Sequence, residues 1–448
     1  MKTYRMLLLL NICITLVVGA CCVDVKSSAC VDSSSLASPA TRKKIIILVS
    51  KGGNGHMAAY NVLKEALPKY DLKALNPFDI VTSFNVVKKV TANKLDGEQF
   101  YVTLVQHNLV RTASFLAKYP APMFFHMRRN YFVKRLAKYL QQEKPDLLLS
   151  TIPYFDYAAS TAAQRCNIPF VMMTLDANLY MWLGDFKKCR KNNNYVTVAV
   201  KTPLVMRQLE KCKVPPHRIY EIGAPLRKDF FEHKDREKIL AEWNLPRDKP
   251  LALLIRGGSG SSQLKLYVQT LRKLNRPLHL LVCVGKNAEL ARQIKKIPSE
   301  GKVSFTIIPF TTRISDLMAV SDMIITQPSP NVCNEAMQSG VPLLIDLTGP
   351  NLFWESSTMD WIKARNAGAA FKKLKRLNRL VAECLEGKLK FSKTRDKEPR
   401  FNAEIKKLVQ HILDEQSKKT PSNKTAELQC CSTTPNSQAS PKGLKAHS

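Results

Sequence analysis

The sequence predicts an α/β fold: two Rossmann-like halves of similar size facing each other across a cleft. Three observations carry this. From Arg42 onward, short apolar β-branched runs alternate with amphipathic stretches at helical spacing, the pattern of parallel βαβ architecture. The run Ile45-Ile46-Ile47-Leu48-Val49-Ser50 breaks into Lys51-Gly52-Gly53-Asn54-Gly55-His56, and a helical pattern follows over Met57–Leu67. A second run, Leu251-Ala252-Leu253-Leu254-Ile255, breaks the same way into Arg256-Gly257-Gly258-Ser259-Gly260. Each glycine turn follows the first strand of its own half, where an anionic or sugar-phosphate ligand meets a helix N-terminus.

Expected strands in the first half are Lys44–Ser50, Asp146–Thr151, Phe170–Leu175, Tyr195–Val200 and Ile219–Ile222, with a long helical stretch from Leu95 to Glu143. Glu221-Ile222-Gly223-Ala224-Pro225 closes this half, and the charged segment Arg227–Lys249 suits a linker plus helix. The second half then offers Leu251–Ile255, Leu278–Val284, Ser304–Ile308, Met323–Thr326 and Leu343–Ile345. The expected division is a hydrophobic segment at 1–22, a Ser-rich tether at 23–41, halves at 42–225 and 226–415, and a polar, disordered tail at 416–448.

The chain has 448 residues, and 69 Lys and Arg against 36 Asp and Glu give a formal charge of +33. Such an excess implies an anionic partner. The cations are scattered, with no RNA-recognition signature and no zinc-finger spacing, so anionic membrane is expected and nucleic acid is not. The cysteines of the globular part, Cys166, Cys189, Cys212, Cys283, Cys333 and Cys384, are widely spaced without a CxxC pair. They suit free thiols in a reducing compartment, and neither a zinc site nor a disulfide framework.

At the N-terminus, Lys2 and Arg5 precede the apolar run Met6–Ala20, the shape of a secretory h-region and short for a spanning helix. Val18-Gly19-Ala20-Cys21 resembles a lipobox. Lipidation at Cys21 and an uncleaved hydrophobic anchor both fit.

His56 ends the first glycine turn and places a group that titrates near neutrality beside a ligand's reacting end. In the second half Ile324-Ile325-Thr326-Gln327-Pro328-Ser329-Pro330 leads into Asn331-Val332-Cys333-Asn334-Glu335-Ala336-Met337, then Gly340-Val341-Pro342. The Glu335 carboxylate could accept two hydrogen bonds from a vicinal diol such as ribose. Favourable interaction with the helix dipole is the plainer alternative.

Taken in order, GGxGH in the first half, GGxG opening the second, and the NEAMxxGVP unit resemble the family-28-type glycosyltransferases of the GT-B fold. The diacylglycerol branch, monogalactosyldiacylglycerol synthases and processive diacylglycerol glucosyltransferases, is the nearer match. Asp146-Leu147-Leu148-Leu149-Ser150-Thr151-Ile152-Pro153 resembles its PDxIISTHP segment, and Ile168-Pro169-Phe170-Val171-Met172-Met173-Thr174-Leu175-Asp176 its IPVVTVVTD. Ile222-Gly223-Ala224-Pro225-Leu226 is similar to GIPV, and Glu355 stands near the family's glutamine-glutamate pair. There are departures. Asp176 is followed by Asn178, Leu179, Tyr180 and Met181 before Trp182, with no histidine. Gln327-Pro328-Ser329-Pro330 stands where the family carries Lys-Ala-Gly-Gly or Lys-Pro-Gly-Gly.

The resemblance implies inverting transfer of a hexose from a UDP-sugar to a lipid hydroxyl, with the sugar nucleotide as co-substrate and no metal or other cofactor, since no Asp-x-Asp motif is present. It makes His56 the candidate base, Asp176 the second candidate, and Gly52, Gly53 and Gly55 the acceptor-site loop. A ligand-orienting role for His56 is the alternative. Donor binding then falls to Arg256, Gly257, Gly258, Gly260, Gln327, Asn331, Glu335 and Glu355. The basic stretch His126–Leu140 has Phe132, Val133, Leu136, Tyr139 and Leu140 on one arc and Arg128, Lys134, Arg135 and Lys138 on the other. With Arg129 and with Phe124 and Phe125 inserted, it is the expected membrane contact; an ordinary helix with its apolar arc on the core is the alternative. A membrane-associated protein with a cytosol-facing body follows, because nucleotide sugars are cytosolic. Transfer to a polyprenyl-linked or other acceptor, and a non-catalytic module binding lipid or nucleotide-sugar, are the competing functions.

Overall fold

The computed structural model describes residues 42–50, 54–80, 97–106, 109–179, 181–182, 196–200, 203–257, 260–298, 301–392, 395 and 398–419. The expected N-terminal segment and tether, Gly52, Gly53, Gly258 and the tail beyond Lys419 lie outside them.

The first half is a six-stranded parallel sheet, β1 (Lys44–Leu48), β2 (Asp71–Leu75), β3 (Leu147–Ser150), β4 (Phe170–Met173), β5 (Val196–Val200) and β6 (Ile219–Glu221), in the order β2-β1-β3-β4-β5-β6. The second is β7 (Leu251–Ile255), β8 (Leu278–Gly285), β9 (Val303–Pro309), β10 (Met323–Thr326), β11 (Leu343–Asp346) and β12 (Gly368–Phe371), in the order β12-β11-β10-β7-β8-β9. All the strand pairs are parallel, among them β1 with β3 and β7 with β10. Strands such as KIIIL and LALLI are apolar without alternation because both faces are covered by helices. The expected α/β architecture of two Rossmann-like halves is present.

In each sheet the strand order reverses once, between β1 and β3 and between β7 and β10. A crevice opens at the carboxyl ends of strands where such an order reverses. The loops after β1, β3, β7 and β10 are therefore the ones that can build a site.

In the first half the helices that matter are α1 (Asn54–Ala66), α2 (Gly97–Gln106), α3 (Val110–Lys118), α4 (Pro120–Glu143) and α5 (Asp156–Arg165). In the second they are α6 (Gln263–Leu271), α7 (Pro330–Gln338), α8 (Ser356–Ala364), α9 (Lys375–Leu385) and α10 (Arg400–Lys419). The single helical stretch expected over Leu95–Glu143 is three helices, and Pro120 stands at the start of the last. Proline lacks the N–H needed inside a helix and is tolerated at its first turn. Strands β2 and β12, both at sheet edges, were not expected.

Helix α10 departs most from the expected division. It continues past residue 415 to Lys419, and it packs on the first half, not the second. Its Phe401, Ile405, Leu408, Val409, Ile412 and Leu413 are buried against Ile45, Ile47, Val62, Leu63 and Leu67. The chain thus crosses back, and the first half is built from both ends of the globular sequence.

Candidate active site

His56 stands in the first turn of α1, which begins at Asn54, three residues earlier than the apolar pattern suggests. Its Nδ1 lies 2.8 Å from the carbonyl oxygen of Thr151, in the loop after β3. A carbonyl only accepts, so Nδ1 carries the proton and Nε2 of the neutral ring keeps its lone pair. Thr151 is fixed in turn by its hydroxyl, which donates to Leu48 O at 2.9 Å. Burial pushes the imidazole pKa below its ordinary value, opposed by the Asp176 carboxylate, the Thr151 carbonyl and the Glu98 carboxylate. The ring is neutral at neutral pH and oriented, the two requirements of a general base.

Asp176, in the turn after β4, accepts from Trp182 Nε1 at 3.1 Å. Two residues on, Asn178 is buried and its amide donates across the cleft to Trp354 O at 3.0 Å and Ser357 Oγ at 2.6 Å. Asn178 is thus a strut between the two halves.

Gly55 faces Asn331, the second residue of α7. A Cβ at Gly55 would lie 2.7 Å from Asn331 Nδ2. The starts of α1 and α7 therefore meet across the cleft, and both present unpaired N–H groups and the positive end of a helix dipole. Gly55, expected in the acceptor-site loop, lies where the two helix starts approach.

Glu335 lies in the second turn of α7, whose first turn has no acidic residue, so a dipole role does not account for it. Burial raises its carboxyl to about 7, partly offset by Arg227. Glu355, just ahead of α8, is 5% exposed and raised to about 7 by burial, with Asp176 pushing it further up and Arg256 pulling it down. Two carboxyls near 7 and a depressed histidine in one crevice mark a functional centre.

Arg256 is not a free cation. Its Nη1 donates to Asp346 Oδ2 and to Tyr267 OH, both at 2.6 Å, and Tyr267 OH donates to the same carboxylate oxygen. Asp346 compensates the guanidinium charge, so Arg256 braces the loop after β7, and only its Nε is buried without a partner. In that loop Gly257 and Gly260 have φ of +71° and +70°. A Cβ on Gly260 would stand 2.2 Å from Val284 O, so this glycine answers to packing on β8. Gln327 begins the turn from β10 into α7, its carbonyl accepting from Ser329 N at 2.7 Å.

The structure thus brings His56, Gly55, Asp176, Arg256, Asn331, Glu335 and Glu355 around one cleft. Three residues there were not anticipated. Glu98 accepts from Ser50 Oγ at 2.5 Å and from Asn76 Nδ2 at 2.8 Å. Tyr101 stands with its ring 6.2 Å from Trp354, and its hydroxyl pKa is raised by burial and then by Glu355. Tyr154 holds a left-handed φ of +68°, strained for an aromatic residue. Its ring stacks on Phe125 at 5.6 Å and its hydroxyl donates to Ala117 O at 2.5 Å. Single-sequence periodicity registers neither the positive φ nor these long-range partners.

Phe124 and Phe125, the expected membrane insertions, are half-buried. Both pack against the core, in a ring cluster with Phe78, Phe132 and Phe155. The arc Phe132, Val133, Leu136 and Leu140 is buried, so that face of α4 serves the core. Of the cations, Arg129 lies over the Tyr157 ring at 5.4 Å and Arg135 over Tyr131 at 5.5 Å, while Lys134 is exposed and Arg128 half-buried. Among the described residues, five of the seven exposed large apolar side chains, Leu109, Phe115, Tyr119, Met123 and Met127, lie along α3, the residue before it and the start of α4; the other two, Leu266 and Phe310, are in the second half. Among the described residues, no helix is long and apolar enough to cross a membrane, and no group of three His, Cys, Asp or Glu could hold a metal.

Two parallel six-stranded sheets facing each other across a cleft built from their reversal points are the GT-B architecture. No protein-family model matches it. Among curated proteins it is 24% identical to the processive diacylglycerol beta-glucosyltransferase of Bacillus cytotoxicus over 315 residues, covering 67% of this chain and 76% of that one. Among solved structures it is similar to MurG of Acinetobacter baumannii, with a TM-score of 0.52, 14% identity, and 84% of this chain and 99% of that one covered. S. aureus MnaA in complex with UDP superposes with a TM-score of 0.52 at 14% identity, over 84% of this chain and 97% of that one. The resemblance drawn from the glycine turns and the NEAMxxGVP unit holds.

Proposed function

We propose that the chain transfers a hexose from a UDP-sugar to a hydroxyl of a membrane lipid such as diacylglycerol, with inversion at the anomeric carbon. The observation that carries this is His56, its Nδ1 proton committed to Thr151 O and its Nε2 left to accept the acceptor proton. As the acceptor oxygen attacks the anomeric carbon, its proton passes to Nε2 and the bond to the diphosphate breaks. Asp176 supports the imidazolium that forms, and is the second candidate for the base itself. Glu335 accepts from the ribose hydroxyls. The facing starts of α1 and α7 meet the charge on departing UDP, an assignment that needs no metal. Arg256 and Glu355 shape the donor wall between them.

The names of the curated relatives support a lipid acceptor. The exposed ridge Phe115, Tyr119, Met123 and Met127, flanked by exposed Arg111 and Lys118, suits peripheral contact with an anionic bilayer. The N-terminal segment adds an anchor, and the catalytic body faces the cytosol, where its donor is made.

The test is purified full-length protein with UDP-Glc, UDP-Gal and UDP-GlcNAc against diacylglycerol vesicles. Glycolipid formed stoichiometrically with UDP from one donor is expected. UDP binding without turnover on all three overturns the proposal, and leaves the non-catalytic module that the Gln327–Pro330 turn favours.

A further inference from the structure

At the outer edge of the second sheet lies a cavity of about 680 Å³. Its rim carries six cations, Lys363, Lys372, Lys373, Lys375, Arg376 and Arg379, and no acidic residue lines it. Arg379 is paired with Glu383 at 2.7 Å. None of the other five forms an ion pair among the described residues. Its floor is apolar: Leu347 after β11, Met359 on α8 and Ala370 on β12.

Solvated lysines on a helix face are commonplace, but this placement works against the fold. Lys375 and Arg376 open α9, and Lys372 and Lys373 lead into it. That helix has no acidic residue in its first turn, and Leu374 caps it with no side-chain bond. Cations there repel one another and the positive end of the helix dipole. An anion in the cavity reverses both terms, and its apolar part would cover Met359 and Leu347. The position also fits, since the cavity opens at the carboxyl ends of β11 and β12.

We infer that this cavity is a second binding site, distinct from the sugar-transfer cleft, for a phosphate-bearing organic anion with an apolar portion. A soluble phosphate ester and the headgroup of an anionic phospholipid share that chemistry. Leu347 directly follows Asp346, the partner of Arg256, so the site abuts the donor wall without sharing a residue with it.

The test uses the full-length protein and a triple variant, Lys372→Gln with Lys373→Gln and Arg376→Gln. Its control removes the same charge from exposed positions elsewhere in the same half: Lys273→Gln, Lys295→Gln and Lys296→Gln. All the altered side chains are exposed, and matching thermal unfolding checks that both variants fold. Calorimetric titration with glycerol 1-phosphate forms the first arm. Flotation with phosphatidylcholine vesicles, with and without 20% phosphatidylglycerol, forms the second. The site predicts at least a tenfold loss of affinity in one arm for the rim variant and less than a twofold change for the control. Loss in the first arm identifies a soluble ester, and loss in the second alone identifies a lipid headgroup. Equal effects of the two variants, or no binding of either probe by the unaltered protein, overturn the inference.

Discussion

At the scale of single residues, the cleft couples two opposite perturbations. Burial lowers His56 and raises Glu355, so near pH 7 the histidine is an unprotonated base while the glutamate is close to half-protonated. For His56, protonation abolishes the base. Activity should hold through neutral pH and fall only as pH drops below the ordinary imidazole range, and His56→Ala should lower kcat by about 10²–10⁴-fold. A loss under threefold, with purified protein at saturating donor, removes the histidine from that role. Glu355 gives a stability prediction of the opposite kind. Its folded carboxyl is raised from 4.5 to about 7, so the folded state holds a proton that the unfolded chain has released between those values. Stability is therefore untouched below pH 4.5, falls as pH rises through the window, and carries the whole penalty, roughly 3 kcal/mol, above 7. Glu355→Gln should melt with the unaltered protein at pH 4.5 and several degrees above it at pH 8. An unchanged difference across pH, followed by calorimetry, counts against burial as the cause. The glycines divide likewise: Gly55→Ala meets only the end of the Asn331 side chain, which can turn away. Gly260→Ala meets the Val284 carbonyl at a positive φ, and should cost the second half more than about 2 kcal/mol.

At the scale of elements, what the sequence made legible follows burial. Every strand expected from an apolar run is present, because a parallel strand covered on both faces must be apolar throughout. The two missed strands are edges. β2 reads Asp-Leu-Lys-Ala-Leu with its charged side chains outward, and β12 is Gly-Ala-Ala-Phe, too small to look like a strand. The cleft residues were legible through motif order, since loops after reversal points carry ligands whatever their local shape. Tyr154 and Glu98 were not, because their partners lie on elements distant in sequence. Helix α10 was misassigned for the same reason: its amphipathic pattern shows that one face is buried, not against which sheet. Its six buried apolar side chains make a testable claim. Ile405→Ala should cost about 2–5 kcal/mol, the span for an emptied core site. Truncation after Pro399 should expose the Ile45–Leu67 face and unfold the first half, although the deleted residues follow the second. Proteolysis that clips 42–225 first, with 250–390 persisting, is the expected pattern; the reverse order contradicts the packing.

At the scale of the molecule, the proposed lipid acceptor raises the question of how a protein with a charge of +33 would meet a membrane. Charge alone would draw it to an anionic surface but would not orient it, because the cations are spread over both halves. Orientation needs apolar side chains that water does not want and the core does not use. Phe115, Tyr119, Met123 and Met127 fit: they recur at four-residue spacing, are 50%, 56%, 46% and 59% exposed, and belong to the half that holds His56. Tyr154 ties them to the cleft, since its hydroxyl bonds to Ala117 on the ridge helix and its ring stacks on Phe125 behind Met123 and Met127. A membrane seated on this ridge would deliver the acceptor next to the base. Phe115→Ser with Met123→Ser and Met127→Ser should then cut flotation with vesicles of 20% phosphatidylglycerol at least fivefold. Transfer to a short-chain, water-soluble diacylglycerol should change less than twofold, which separates docking from chemistry. Lys134→Gln with Arg135→Gln should weaken binding at low salt only, because exposed charges are screened at high ionic strength while apolar insertion is not. Vesicle binding that survives the triple substitution and vanishes in high salt would mean that charge alone carries the protein to the membrane, and that the ridge serves another purpose.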